Sequence, residues 1–295
     1  MQGLIEAIIS PFFSSLATII AAQALKILNP LAVRSFGALF AALVLFAVIK
    51  KSKEKLDAKA IKSSIPDLSK LILLRPLIGN LFLVYGLSLT SGIKAIFFTK
   101  VEPYFVLFWH WFLRKEKVRL KHVVLLFFHI AGALILSTGG TFRFERTQMG
   151  DLLIIISMFF LSLSYFYAEK FSKKLGAKST VAVTEGIAGV VLLPFVFLFV
   201  PVNKYANLSL LVPWMYIIVA VLLFTVLSLT LWYSSLKTVK GWMVSALRSL
   251  GPILGAPVAW IFFGQKLTLI QIGGAVVILV TSSLIAYEHL SKESM

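Results

Sequence analysis

Ile-Ser-Pro-Phe-Phe-Ser-Ser-Leu, at residues 9–16, decides the fold, because it returns as Ile-Ser-Met-Phe-Phe-Leu-Ser-Leu at residues 156–163. The two copies lie 147 residues apart in a chain of 295 residues. A second repeated pattern, at a spacing of 149 residues, matches Pro103 and Trp111 with Pro252 and Trp260. Self-similarity at a long, fixed spacing indicates an internal repeat, here two hydrophobic halves.

The composition indicates that the chain lies in a lipid bilayer. Hydrophobic residues make up 59% of the chain and charged residues 14%, and the mean hydropathy is +0.94. Average soluble domains carry about 25% charged residues. The net charge of +17 does not indicate a nucleic-acid partner, because the basic residues concentrate in short loops beside apolar segments, as the positive-inside rule predicts.

Apolar segments near the ~20 residues that cross a bilayer predict ten helices. An open sheet would leave backbone groups unpaired in lipid, so helices are required. Each half then contains five helices, and because five is odd the second half enters from the opposite side. The predicted fold is an all-α membrane protein of two inverted five-helix repeats, 1–145 and 146–295. The segments are 4–25, 30–49, 71–90, 92–113, 121–139, 150–170, 180–200, 209–235, 241–263 and 268–288.

The loop charges predict the orientation. With both termini in the cytoplasm, 19 Lys and Arg residues fall on the inner side and five on the outer side. This bias favours cytoplasmic termini, and the short loops favour a plasma membrane. The predicted partners are the bilayer and a small-molecule substrate, and the chain is expected to be a monomer or a homodimer.

Enzyme chemistry is not predicted. Cysteine is absent, and the four histidines show no metal-ligand spacing. The chain also carries no P-loop, His-Glu-x-x-His or Gly-x-Ser-x-Gly motif. We therefore predict no enzymatic activity, cofactor or metal.

Two cations within predicted spans are the main candidates for a binding site. Lys100 in the fourth segment and Arg248 in the ninth lie near the bilayer midplane and come from opposite halves. Ionisable groups inside a span are expensive and usually functional, and two converging cations suit a carboxylate or phosphate. The alternative is that each cation pairs with an internal carboxylate, Glu102 or Glu185. Glu185 is also a candidate for proton coupling.

Prolines and polar side chains complete the predicted site. Pro103 and Pro252 are expected to break their helices and to free the carbonyls four residues earlier. The third, fourth, eighth and ninth segments should then line the cavity, with four further polar side chains as candidate substrate contacts: Asn80, Tyr85, Tyr104 and Tyr233. For these four, ordinary helix packing with a hydrogen-bonded polar group is the alternative. Arg34 is expected to close the outer end of the second helix.

Short motifs across both halves resemble the EamA-type members of the drug/metabolite transporter superfamily. Their order and spacing carry the resemblance, which covers nearly the whole chain; the motifs are Glu102-Pro103, Gly150-Asp151-Leu152-Leu153, Gly251-Pro252, Phe263-Gly264-Gln265-Lys266-Leu267 and Gln271-Ile272-Gly273-Gly274. The resemblance implies a ten-helix permease or exporter.

The function expected from these observations is secondary active transport of a small polar, anionic metabolite by alternating access between the repeats. One alternative is an exporter of neutral or aromatic amino acids, with the cations serving structure only. An alternative of another class is a pore or channel, which would require a continuous polar stripe along several helices.

Overall fold

The computed structural model describes residues 2–52, 57–115, 120–141, 146–239, 241–248 and 251–291, and these residues form helices and connecting turns without a strand. The predicted all-helical fold class is therefore confirmed for them. The end of the predicted first half, residues 142–145, lies outside the described residues.

We group the described helical pieces by predicted segment and name the groups α1 to α10. In the first half they are α1 (Gln2–Ala24), α2 (Pro30–Lys51), α3 (Ile65–Leu89), α4 (Gly92–Phe98 and Glu102–Arg114) and α5 (Leu120–Thr138). In the second half they are α6 (Arg146–Leu163, continued by Tyr165–Leu175), α7 (Ala177–Phe199), α8 (Leu211–Ser235), α9 (Gly241–Leu247 and Gly251–Phe263) and α10 (Leu269–Ser291). A short helix, Ala58–Lys62, precedes α3.

Six of the described helices are long and apolar enough to cross a membrane, and the bent pair that forms α6 makes a seventh. The pieces of α6 meet at an angle of 49°. α4 is divided by a 3₁₀ turn at Thr99–Val101, so neither of its pieces has the length of a span. Pro103 stands in the first turn of the second piece, where its missing N–H costs nothing.

The helices pack in pairs that match between the halves. α2 packs against α7, and α5 packs against α10. α3 packs against α6 as α1 packs against α8, and α4 against α6 as α9 against α1. If each helix of the first half is exchanged with the helix numbered five higher in the second half, the pattern of packed pairs stays the same.

Neighbouring contacts run in opposite directions along α5 and α10. Between α5 and α10, His129 bonds Thr281 at 3.0 Å, whereas Gln271 donates to the Leu136 carbonyl at 3.1 Å. As the residue number rises along α5 it falls along α10, so the two helices are antiparallel. The Ser35 hydroxyl of α2 donates to the Gly189 carbonyl of α7 at 3.0 Å.

A hydrogen bond and a backbone irregularity recur at the repeat spacings. The Ser10 hydroxyl donates to the Ser228 carbonyl at 3.0 Å, and the Ser157 hydroxyl donates to the Gly79 carbonyl at 2.7 Å. Ser10 and Ser157 are 147 residues apart, and Gly79 and Ser228 are 149 residues apart. A π-helical stretch also occupies Leu73–Gly79 in α3 and Leu222–Leu229 in α8. The serines of the repeated motif thus make the same bond in each half.

Close backbone contact between α5 and α10 gives a stability prediction. A Cβ atom added at Gly274 would lie 2.6 Å from the Gly132 carbonyl oxygen, whereas one added at Gly273 meets nothing within 4 Å. Gly274→Ala should lower the free energy of unfolding by about 1–3 kcal/mol, because overpacking forces the backbones apart. Thermal unfolding of the purified protein in detergent measures this.

Gly273→Ala is the matched control. It makes the same change one residue earlier in the same helix, where alanine is favoured over glycine by up to about 1 kcal/mol. Its melting temperature should equal or exceed that of the parent chain. Equal melting temperatures for the two variants would contradict the tight contact.

Candidate functional site

A cavity lies between α1, α2, α3 and α8, at the end of the bundle where α1 ends and α2 begins. We call this end the Asn29 end, after the residue between those helices, and the opposite one the Lys51 end. The cavity has a volume of about 80 Å³. Most of the lining is aliphatic, and the polar lining side chains are Thr18, Arg34, Asn80 and Thr225. This combination of apolar walls and few polar groups is typical of small-molecule sites.

Arg34 supplies the charge of this lining. The Asn29 side chain caps α2 by accepting from the Leu31 amide at 2.9 Å, so the helix starts at Pro30 and Arg34 follows one turn later. The Arg34 Nη2 atom lies 2.6 Å from the Glu185 Oε2 atom of α7, and both side chains are buried. This ion pair joins the two halves of the chain.

The Arg34 side chain also bonds a backbone carbonyl that the π-helical stretch leaves free. Its Nε–H donates to the Pro76 carbonyl at 2.8 Å. In a regular α-helix the amide of Asn80 would take that carbonyl, but here it donates to the carbonyls of Arg75 and Leu77. Arg34 therefore satisfies a buried acceptor that would otherwise be costly.

Asn80, a residue of the cavity lining, carries an unpaired acceptor. Its side chain is buried, and its Oδ1 atom has no hydrogen-bond partner among the described residues. Buried polar atoms are nearly always paired. A ligand that donates a hydrogen bond would pair this one.

Lys100 and Arg248 meet from opposite halves. The Lys100 ammonium donates to the Arg248 backbone carbonyl at 2.6 Å, which is the carbonyl that Pro252 leaves without a partner because proline has no N–H. The Arg248 Nε atom lies 3.4 Å from the Glu102 Oε2 atom. Neither cation is among the residues that line the cavity.

The internal glutamates have different partners. Glu102 pairs with Arg248, as the ion-pair alternative anticipates, whereas Glu185 pairs with Arg34. Arg34 thus lies in the cavity wall and in an ion pair, and does not only close a helix end. Its position one turn inside an apolar helix is a sequence signal that could have identified it.

The three tyrosines that were predicted to contact the substrate lie outside the cavity lining. Tyr104 is buried, its ring 4.7 Å from that of His129, and its hydroxyl lies 3.5 Å from the Leu125 carbonyl oxygen. Tyr85 is 37% exposed and lines an apolar groove between α3 and Leu153 of α6. Tyr233 is fully buried toward the Lys51 end.

Arg75 lies at the centre of a buried aromatic cluster toward the Lys51 end. Its guanidinium carbon is 4.1 Å from the centroid of the Trp232 ring and 5.7 Å from that of Tyr165. Its Nε–H donates to the Ser164 hydroxyl at 2.8 Å, and Nη2 to the Leu161 carbonyl at 3.2 Å. The Tyr165 and Tyr233 rings each meet Trp232 edge-on, with centroids 4.8 Å away. This end of the bundle is therefore filled.

The polar threonines of the lining were not predicted. Thr18 donates to the carbonyl of Ser14 within its own helix at 2.8 Å. An isolated threonine in an apolar helix usually does this, so neither Thr18 nor Thr225 carries a sequence signal. The expected walls also differ from this cavity: α3 and α8 line it, but its other lining residues come from α1 and α2.

Comparisons with known proteins find relatives for the chain. A model of the EamA-like transporter family matches residues 1–138 and 148–287. An uncharacterized transporter of Methanothermobacter thermautotrophicus is 26% identical over 73% of this chain and 62% of its own length. The uncharacterized transporter YetK of Bacillus subtilis is 23% identical over 59% of this chain and 53% of its own length. The chain thus matches less than two thirds of each relative.

A solved crystal structure of a protein has the same fold. It superposes with a TM-score of 0.69 at 14% identity, over 98% of this chain and 99% of the other. At this identity the likeness concerns the fold alone.

The Arg34–Glu185 pair gives a second stability prediction. Glu185→Gln should lower the free energy of unfolding by about 3–5 kcal/mol, because it leaves a buried cation without its counter-charge. Chemical unfolding in detergent, followed by tryptophan fluorescence, measures this. Glu169→Gln is the control: the Glu169–Lys173 pair is exposed, and its loss should cost about 1 kcal/mol at most. Equal losses would contradict a structural role for the buried pair.

Proposed function

The chain belongs to the EamA-like transporter family, and on that premise we propose that it is a secondary active transporter. It carries a small polar, anionic metabolite across the membrane by alternating access between its two halves. Family membership confirms the resemblance identified from the sequence motifs. The observation that carries the substrate class is the Arg34 guanidinium in the wall of the cavity.

The proposed architecture is ten membrane-spanning helices in two inverted repeats, 1–145 and 146–295. The matched helix pairs support it, as do the antiparallel packing of α5 on α10 and the Ser10 and Ser157 hydrogen bonds. Such repeats allow the halves to exchange conformations, so that a central site faces one side and then the other.

The chemistry of the lining supports an anionic group on the substrate. Arg34 uses Nε for Pro76 and Nη2 for Glu185, and its Nη1 atom donates no hydrogen bond to the described residues. A carboxylate or phosphate in the cavity could accept from this nitrogen.

The second candidate, an exporter of neutral or aromatic amino acids, is favoured by a different observation. The free Oδ1 acceptor of Asn80 suits an ammonium donor, and the aliphatic walls suit an apolar side chain. A carboxylate at Arg34 would complete the recognition of such a substrate. A pore is less favoured, because the described lining is mostly aliphatic rather than a polar stripe.

We place the chain in the plasma membrane with both termini in the cytoplasm, since 19 basic loop residues then lie inside and five outside. In this orientation the Asn29 end faces outward. The cavity then faces the outside, and the aromatic cluster around Arg75 closes the inner side.

Filling the cavity should stop transport. Leu83→Trp places an indole ring in the lining without changing any charge. The variant should reduce metabolite exchange in proteoliposomes to background, because the indole ring occupies the space that the substrate needs. Leu81→Trp is the matched control. Leu81 lies on the same helix but lines the apolar groove beside Tyr85, so the variant should exchange metabolite at the parent rate.

The metabolites for this assay come from a thermal-shift screen, since a ligand that binds only the folded protein raises its melting temperature. The panel contains dicarboxylates, phosphorylated sugars, and neutral and aromatic amino acids. Stabilisation and exchange by the first two groups support the anionic substrate, whereas a response to amino acids alone supports the second candidate. Unchanged exchange in Leu83→Trp would overturn the assignment of this cavity.

The orientation predicts which introduced thiols react in intact cells. The chain has no cysteine, so each variant carries a single thiol. Asn203→Cys, in the exposed connection between α7 and α8, should react with an impermeant maleimide added outside. Lys173→Cys, exposed near the opposite end, should react only after the membrane is permeabilised. The reverse pattern would place the termini outside.

A further inference from the structure

The aromatic cluster around Arg75 is the repeat equivalent of the cavity. Residues of α1 and α6 correspond at a spacing of 147, and residues of α3 and α8 at 149, as the repeated motif and the two π-helical stretches establish. At these spacings Thr18 corresponds to Tyr165, and Leu83 and Val84 correspond to Trp232 and Tyr233. Phe224 corresponds to Arg75. These four cavity-lining residues thus map onto the cluster.

Side-chain size separates the hollow site from the filled one. Three of the four cavity positions carry Thr, Leu and Val, whereas their equivalents carry Tyr, Trp and Tyr. Tyr165, Trp232 and Tyr233 are at most 5% exposed. The same architectural position is therefore open toward the Asn29 end and packed toward the Lys51 end.

The packed cluster holds polar groups that its closed form does not satisfy. The hydroxyls of Tyr165 and Tyr233 and the indole Nε1 of Trp232 have no hydrogen-bond partner among the described residues. Each such group costs about 1–3 kcal/mol when it is buried unpaired. Three unpaired donors in one cluster are more than packing alone requires.

Arg75 adds a buried charge that no carboxylate of the described residues contacts directly. It is 3% exposed, and its described contacts are a hydroxyl, a carbonyl and the aromatic rings. Within the described ranges no carboxylate lies at ion-pair distance from its guanidinium. A buried cation without a counter-charge is expensive unless a ligand supplies one in another state.

We propose that Arg75, Tyr165, Trp232 and Tyr233 form a second anion-binding site, which opens toward the Lys51 end when the cavity at the Asn29 end closes. There Arg75 binds the carboxylate or phosphate of the transported metabolite, and the tyrosine hydroxyls and the indole N–H donate to it. The site releases or receives the metabolite on the side opposite to the Arg34 cavity. This inference rests on the proposed function and specifies the inward-facing half of its cycle.

Thiol labelling in proteoliposomes tests the site directly. Ala168→Cys introduces one thiol a turn from Tyr165, and Ala21→Cys introduces one at the repeat-equivalent position, in the cavity lining. A methanethiosulfonate reagent is then added to one side of the membrane at a time. The reagent is either negatively charged (sulfonatoethyl) or positively charged (trimethylammonioethyl). Asn203→Cys identifies the outer side in the same preparation.

The thiol at position 168, on a side chain that is fully buried in this structure, should react only from the side opposite to Asn203. The negative reagent should react at least about tenfold faster than the positive one, because the Arg75 charge concentrates anions in the opened site. Adding Arg75→Gln should abolish this preference, and Arg75→Lys should retain it. Arg34→Gln should change the preference at position 21 and leave that at position 168 unchanged.

Three results would overturn the proposal: no reaction at position 168 from either side under conditions that label it fully in denatured protein, equal rates for the two reagents, or a preference that survives Arg75→Gln. A merely structural Arg75 would affect stability but not the charge preference. Labelling requires no substrate, so it tests the site separately from transport. If the transport assays fail but the negative reagent still reacts faster at position 168 in an Arg75-dependent way, the proposed substrate class is refuted and the proposed site is retained.

Discussion

The structure depends on one constraint: a backbone carbonyl buried in an apolar bundle must find a donor. The π-helical stretch of α3 leaves the Pro76 carbonyl free, and Arg34 donates to it. Proline 252 leaves the Arg248 carbonyl free, and Lys100 donates to it from the other half of the chain. Water cannot satisfy such groups in lipid. Two of the intramembrane cations therefore join helices to one another, and each is held where the backbone is irregular.

The irregular backbone also determines where a ligand can be recognised. The π-helical stretch ends at Gly79, and the next residue, Asn80, lies in the cavity lining with a side-chain oxygen that has no partner among the described residues. Arg34, held by Pro76 and Glu185, keeps its remaining nitrogen at the same wall. Polar groups that are fixed by neighbours before a ligand arrives lose little entropy on binding. Under the proposed function, Arg34 therefore both satisfies the Pro76 carbonyl and binds the ligand.

The two halves repeat the same packing with different side-chain volumes. Between the halves, matched serines make matched hydrogen bonds, so the architecture is close to symmetric. Smaller side chains in one half leave the space that forms the cavity. In the other half, Trp232 and its tyrosine neighbours fill the equivalent space. Tightly packed interiors do not deform continuously. In the proposed inverted repeats, a pair of sites, one open and one closed, is a natural basis for two discrete states.

The sequence by itself determined the helical class, the positions of the ten apolar segments and the repeat spacings, because a bilayer and a duplicated motif leave few alternatives. It also identified Lys100, Arg248 and the possible pairing with Glu102, since buried charges are rare in spans. Only the tertiary structure decided that Arg34 pairs with Glu185 and lines the cavity with α1, α2, α3 and α8. Side-chain partners depend on which helix faces meet, and spacing along one chain carries no information about that. For the same reason, Arg75 became a candidate only when Tyr165 and Trp232 were seen around it.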